Sequence, residues 1–168
     1  MKYLFLVRHA KSSWESDGLP DDQRPLMPKG IRKTESMVDF LVRRKTKIDL
    51  IISSPAVRAL ETAKIFAKGL DYPSGKIRTE RKIYDGMYDR ILDVIYATGN
   101  DTDNLMIVGH NPTITGTANL FLHPGIEDMP TSAVVCLSFD TGNWENISMV
   151  EAKKEFILFP KMLLRLDI

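Results

Sequence analysis

The sequence predicts an α/β fold, a three-layer α/β/α sandwich on a mostly parallel central sheet, and two observations carry that prediction. Apolar runs of strand length alternate with stretches of helical periodicity, the pattern of parallel strands joined by crossover helices. Three of those runs also end in residues that bear chemistry. Residues 3–7 lead into Arg8-His9-Ala10, residues 50–52 into Ser53-Ser54-Pro55 with Arg58 just beyond, and residues 105–109 into His110-Asn111-Pro112. In an open α/β sheet, ligands gather outside the carboxyl ends of the strands. Two of the chain's three histidines and two arginines therefore fall at one edge.

Taken in order, the first strand is followed by a polar loop over 11–28, rich in Ser, Asp and Pro. It is long for a βα connection, and such loops are often functional. A helix over about 29–44 comes next, with Ile31, Met37, Val38 and Leu41 on one side and Thr34 filling the gap. The second strand covers about 49–53. Pro55 opens a second helix at a position where its missing N–H costs nothing. Ala56, Ala59, Leu60, Ala63 and Phe66 give that helix a packed side, and Gly69 ends it. A short strand over 76–81 precedes a helix over 88–97, where Ile91, Leu92 and Ile95 recur at helical spacing. The third major strand, 105–109, leads to a helix over about 112–122. Two later strands, 133–139 and 144–150, are read as joined around Asp140-Thr141-Gly142-Asn143. No repeat, low-complexity tract or linker interrupts the chain, so residues 1–168 are read as one domain.

Charge and cysteine usage exclude some functions. The 23 basic residues nearly cancel the 22 acidic ones, and a formal charge of +1 gives no basis for a nucleic-acid or membrane partner. Any anion site must come from local placement of Arg and Lys. Cys136 is the only cysteine, so an intrachain disulfide and a multi-thiolate metal site are both excluded. Its apolar neighbours read it as a small buried hydrophobe. The first apolar run is too short for a signal-peptide core, and no apolar stretch approaches the roughly 20 residues that span a bilayer. The chain reads as cytoplasmic.

Three constellations carry chemistry. A neutral histidine ring nitrogen can attack phosphorus and split one difficult displacement into two easier ones, provided a hydrogen bond fixes its other nitrogen. His9 is placed for this, and Arg8 beside it can grip phosphate oxygens with a permanently charged fork. Arg58 lies in the first turn of a helix, where the dipole disfavours a cation unless an anion compensates it. His110, next to Gly109, can donate to a phosphoryl oxygen as its charge grows. Each has a bland reading alone: a chance dipeptide, an exposed arginine, a satisfied structural histidine.

Together they resemble the histidine phosphatase superfamily, also called phosphoglycerate mutase-like. The resemblance rests on Val7-Arg8-His9-Ala10, on Ser53-Ser54-Pro55 followed by Arg58-Ala59 and Thr62-Ala63, and on Val108-Gly109-His110-Asn111. Within the superfamily, Leu6-Val7-Arg8-His9-Ala10-Lys11-Ser12-Ser13-Trp14, Arg24-Pro25-Leu26 followed by Lys29-Gly30, and Pro130-Thr131-Ser132-Ala133 resemble the small SixA-type phosphohistidine phosphatases. Ala10 stands where many members have glycine, a departure the small branch shares. The resemblance implies a phosphoglycerate mutase-like fold, His9 as phosphate-accepting nucleophile, and Arg8, Arg58 and His110 as the phosphate pocket. It implies no metal and no cofactor, because the arginines supply the charge that a cation supplies elsewhere. The implied partner is a phosphorylated protein carrying phosphohistidine, with phosphate or another oxyanion in the pocket.

The general acid is the weak element. The nearest match to the acidic residue of larger members is Asp85 in Ile83-Tyr84-Asp85-Gly86, for which a turn-forming aspartate is the competing reading. An alkoxide leaves poorly without a proton, whereas a phosphohistidine loses an imidazole whose distal nitrogen can already carry one. The expected activity is therefore removal of phosphate from phosphohistidine on a signalling or phosphotransfer protein. A small-molecule phosphomonoesterase or phosphomutase is the alternative, and a non-catalytic phosphate-binding module is a third.

Other residues have weaker claims. His123, before Pro124-Gly125, reads as a loop residue. A zinc site of His9, His110 and His123 is disfavoured by the neighbouring arginines. Lys11, Ser12 and Ser13 either touch substrate or belong to a solvated loop, and Trp14 either packs over the site or is a partly buried anchor of that loop. Arg24 is expected to pin the long loop, and the helix dipole accounts for Arg43, Arg44, Lys45 and Lys47.

Overall fold

Alternation of side chains along the strands sorts the apolar residues onto two faces of one sheet, and each face has its own helices. The structure, a computed structural model, describes residues 1–15 and 18–164. Positions 16 and 17 of the long loop and 165–168 of the expected domain lie outside the described residues. The strands are β1 (Lys2–Arg8), β2 (Leu50–Ser53), β3 (Arg78–Thr79), β4 (Asn104–Gly109), β5 (Val134–Phe139) and β6 (Ala152–Leu158). They are ordered β3-β2-β4-β1-β5-β6. The first four of that order are parallel, whereas β5 runs against β1 and β6 against β5. The helices are α1 (Pro28–Arg43), α2 (Val57–Gly69), α3 (Arg81–Asp85), α4 (Tyr88–Tyr96), α5 (Thr113–Asn119) and α6 (Pro160–Leu163).

Phe5, Val7, Met106, Val108 and Val134 pack against Met37 and Leu41 of α1 and Ala59, Ala63 and Phe66 of α2. Leu4, Leu6, Leu105, Ile107 and Val135 pack against Ile91 and Ile95 of α4 and Ile114 and Ala118 of α5. This is the expected three-layer sandwich. It has a functional consequence, because the chain leaving β1 goes to one layer and the chain leaving β4 goes to the other. A crevice opens between the carboxyl ends of these adjacent strands, the place where open sheets bind ligands.

Several elements differ from the sequence expectation. Helix α2 begins at Val57 rather than Pro55, because Ala56 is extended (ψ 137) and its carbonyl is the first to accept helical bonds, from Ala59 and Leu60. Helix α5 stops at Asn119, short of the 122 expected, and the chain folds back so that the Asn119 side chain pairs with the backbone of Ile126. The short helix α3 was not anticipated, and only Ile83 of its residues is buried.

The largest correction concerns 144–150. It is a 3₁₀ helix, Trp144–Met149, and the final strand of the sheet is β6. Trp144 and Ile147 are the buried pair, three residues apart, so the burial follows a helical rather than an alternating pattern. Trp144 is held by its indole N–H donating to Thr102 O at 2.8 Å and its backbone N–H donating to the Asn100 side chain at 3.1 Å. Its competing partners were on another loop and invisible to local periodicity.

Candidate active site

Parallel pairing sets Arg8 opposite Gly109, so β1 and β4 end level and deliver His9 and His110 side by side. The backbone N–H of His9 donates to Gly109 O at 3.0 Å, and the two rings lie 5.1 Å apart, centroid to centroid. The turn carrying His9 is held from two other directions. The Thr62 hydroxyl donates to Arg58 O at 2.6 Å and accepts from Ala10 N at 2.9 Å. Ser132 N–H is shared by the carbonyls of Arg8 and His9 at 3.1 and 3.2 Å. Ser132 has a positive φ of 66, a conformation that costs a non-glycine residue about 1 kcal/mol. Its hydroxyl meets Thr34 at 2.8 Å, which ties the strand end to α1. Gly30 completes the support, since a Cβ there would stand 2.5 Å from Lys11 O, and only glycine lets α1 approach this closely.

His9 Nδ1 is 2.7 Å from Ala10 O. A carbonyl only accepts, so Nδ1 carries the proton and Nε2 keeps its lone pair. Burial depresses the His9 pKa to about 4. The bond to Ala10 works against that shift, and the charges of Arg58, Arg8 and Arg24 add to it. His110 is pushed to about 3 by burial, by His9 and by Arg58. Both rings are therefore neutral at physiological pH.

The arginines are oriented by carboxylates and carbonyls. Arg8 donates from Nη1 to Met129 O at 2.8 Å and lies 3.6 Å from Asp128. Arg58 donates from Nη1 to Asp21 O at 2.7 Å and from Nη2 to the Asp21 carboxylate at 3.0 Å. The anion that offsets a cation in the first turn of α2 is thus part of the protein. Asp21 also accepts from Tyr84 OH at 2.9 Å and from Arg24 Nε at 3.1 Å. Burial works against its charge, but the hydrogen bonds from Tyr84 and Arg58 outweigh it and hold the carboxyl below its ordinary pKa. Arg24 in turn lies 3.7 Å from the centre of the Trp14 ring.

After these bonds, three buried nitrogens have no partner among the described residues: Arg8 Nε, Arg58 Nε and His110 Nδ1. All three belong to residues lining one open cavity of about 510 Å³, which also includes His9, Lys11, Ser12, Trp14, Asp21 and Arg24. Buried polar atoms are nearly always paired, so three open ones around a single cavity, two of them guanidinium donors, describe a site that is completed by an anion with several acceptor oxygens.

The cavity brings together Arg8, His9, Arg58 and His110. Asp85 is placed elsewhere: it is half exposed, pairs with Arg81 Nε at 2.7 Å and does not line the cavity. Its neighbour Tyr84 turns inwards instead, with its ring edge against His110 at 5.5 Å. His123 lines a different depression, with Leu92 and Phe121, away from His9 and His110. Asp21, Tyr84, Thr62 and Ser132 were missed as site residues. Two of them left a signal. Asp21 lies in the long loop three residues before Arg24, and Thr62 lies one helical turn after Arg58.

Comparison with known proteins agrees with this geometry. Residues 4–85 match the family model of the histidine phosphatase superfamily (branch 1). An uncharacterised protein of Mycobacterium tuberculosis is 30% identical over 151 residues, covering 84% of this chain and 91% of its own. The chain belongs to the histidine phosphatase superfamily, and that membership supports phosphatase activity.

Within it, the phosphohistidine phosphatase SixA of Escherichia coli is 26% identical over 162 residues, covering 89% of this chain and 98% of its own. A crystal structure from Agrobacterium tumefaciens, provisionally assigned as the phosphohistidine phosphatase SixA, is 25% identical with a TM-score of 0.78, covering 94% of this chain and 97% of that one.

Proposed function

We propose that this protein removes phosphate from phosphohistidine on a protein, through a phosphorylated His9. His9 Nε2 attacks phosphorus and forms the new N–P bond, while the P–N bond to the substrate ring breaks and its electron pair stays with the departing imidazole. Arg8, Arg58 and His110 donate to the phosphoryl oxygens as charge grows on them. Water then attacks the same phosphorus, the His9–phosphorus bond breaks, and inorganic phosphate leaves.

One observation carries the choice of substrate. Asp21 is the only carboxylate lining the cavity among the described residues, and it is ionised by its bonds to Tyr84, Arg58 and Arg24. It holds Arg58 in place and has no proton to give. With no available acid among the described residues that line it, the site suits a leaving imidazole that brings its own proton and handicaps an alkoxide that does not. The exposed apolar side chains of Trp14, Leu19, Met87 and Tyr88, which flank the segments bearing Asp21 and Tyr84 in sequence, also suit a macromolecular substrate.

The test is a side-by-side comparison of kcat/KM on a phosphohistidine-bearing protein and on a panel of phosphomonoesters. A clear preference for the phosphohistidine supports this reading. Equal or better turnover of a phosphomonoester overturns it in favour of the small-molecule alternative. Trapping a stoichiometric, acid-labile phosphoenzyme on His9 separates either enzyme from a non-catalytic binding module.

A further inference from the structure

We propose that Ser54 is a positioning residue that sets the tautomer of His110, so that His110 presents Nδ1–H as a donor to the phosphoryl group. The inference deepens the phosphatase reading and rests on it for its kinetic consequence. The tautomer itself follows from hydrogen-bond accounting.

Ser54 follows β2 and is locked to the neighbouring strand by its own N–H, which donates to Val108 O at 3.0 Å. Its hydroxyl oxygen has two close partners. Ala56 N lies 3.2 Å away and His110 Nε2 lies 2.7 Å away. A backbone N–H only donates, so the hydroxyl accepts there. The hydroxyl has one proton of its own, and Nε2 is the acceptor within reach. Ser54 therefore donates to Nε2, and in a neutral imidazole the remaining proton sits on Nδ1.

The opposite tautomer fails on two counts. With the proton on Nε2, the buried serine hydroxyl would lose its acceptor. Nδ1 would become a bare lone pair beside an incoming oxyanion and repel it. In the assigned tautomer, Nδ1–H is the buried donor with no partner, matching the open donors of Arg8 and Arg58. The flanking rings of His9 and Tyr84, at 5.1 and 5.5 Å, restrict rotation of His110. The two active-site histidines then hold opposite tautomers. Ala10 O leaves His9 with a lone pair for attack, and Ser54 leaves His110 with a proton for binding.

Two measurements test this. In ¹⁵N spectra of the histidine rings at neutral pH, assigned with His9→Asn and His110→Asn, His110 of the free protein should show a protonated Nδ1 and a bare Nε2. Ser54→Ala should mix or reverse that signature and weaken vanadate binding about tenfold to a hundredfold, a part of the 10²–10³ that loss of a whole oxyanion donor costs. Ser54→Thr, which keeps the hydroxyl, should restore both. In a His110→Ala background, Ser54→Ala should cost no further affinity. A protonated Nε2 in the wild-type protein overturns the proposal. So does a Ser54→Ala loss that persists undiminished without His110, since it would then act through Ala56 and the start of α2. If the tautomer is as assigned and vanadate binds, but no phosphohistidine substrate turns over, the phosphohistidine reading fails while the Ser54 assignment stands.

Discussion

Strand β1 begins with a buried cation and ends with a partly buried one, and the two ends are completed differently. At its start, the Lys2 ammonium donates to Asn100 O at 2.7 Å, Thr102 O at 2.8 Å and Asp103 at 2.9 Å. All three of its protons are placed, and the Trp144 ring lies 5.7 Å away. At its end, Arg8 has a buried Nε with no partner among the described residues, and Arg58 Nε and His110 Nδ1 share that condition. A buried polar group costs free energy unless it is hydrogen-bonded. The satisfied end therefore contributes to stability, and the unsatisfied end is prepared for an anion that arrives later. Charge type does not distinguish the two ends. The presence or absence of partners does.

Mutations at the two ends should separate function from stability, and the largest effect is expected at His9. His9→Ala should lower turnover by at least about 10⁴-fold, as loss of a covalent nucleophile does, without lowering the melting temperature. Residual activity near wild type would remove His9 as nucleophile. Arg58→Ala should weaken vanadate binding about 10²-fold, and unchanged affinity would take Arg58 out of the pocket. Lys2→Ala should do the reverse. It leaves buried carbonyls without a donor and should cost about 2–4 kcal/mol in denaturant unfolding, with kcat/KM per folded molecule preserved. A Lys2 variant with normal stability and impaired catalysis would erase the contrast between the ends.

The pH dependence sharpens the same contrast. His9 and His110 titrate near 4 and 3 in the folded protein, both below the ordinary 6.5. Between those values the unfolded chain binds more protons, so stability falls as pH drops from 6.5 towards 4. Each histidine should remove about 2 kcal/mol by pH 5. Asparagine in place of either should flatten its share of the decline in unfolding measurements at pH 7 and pH 5, and a decline of unchanged size would contradict the buried neutral rings.

The smaller effects concern carboxylates. Asp21→Asn removes the charge that holds Arg58, Arg24 and Tyr84, and should reduce kcat/KM about tenfold. Asp85→Asn breaks only a surface pair with Arg81. It should change stability by less than about 0.5 kcal/mol and leave the ratio of phosphohistidine to phosphomonoester rates unaltered. A selective loss on the ester would restore Asp85 as the acid.

How far the sequence could be read depended on whether the relevant partners were local. Val7-Arg8-His9 and Val108-Gly109-His110 were legible because an apolar run that ends in polar residues describes a strand and its exit in one stretch of chain. Arg58 was legible because its anomaly, a cation in a helix's first turn, is also local. Trp144 was misread because its partners, Asn100 and Thr102, lie more than 40 residues away. Asp85 attracted attention beside Gly86, yet the helical turn of α3 sends it to Arg81 and turns Tyr84 inwards. Asp21 looked like one of several loop acids until the fold placed it against Arg58.

By itself, then, the sequence determined which side chains reach the carboxyl edge of the sheet, because strand alternation and helix periodicity are properties of short segments. Only the tertiary structure decided what each of them does there. The proton on His9 is fixed by the neighbouring Ala10 carbonyl, but that of His110 depends on Ser54, which comes from another strand end. The open donors of Arg8 and Arg58 are defined by bonds to Met129 and Asp21. Hydrogen bonds between distant segments choose the tautomers and count the unsatisfied donors, and no periodicity in the chain records them.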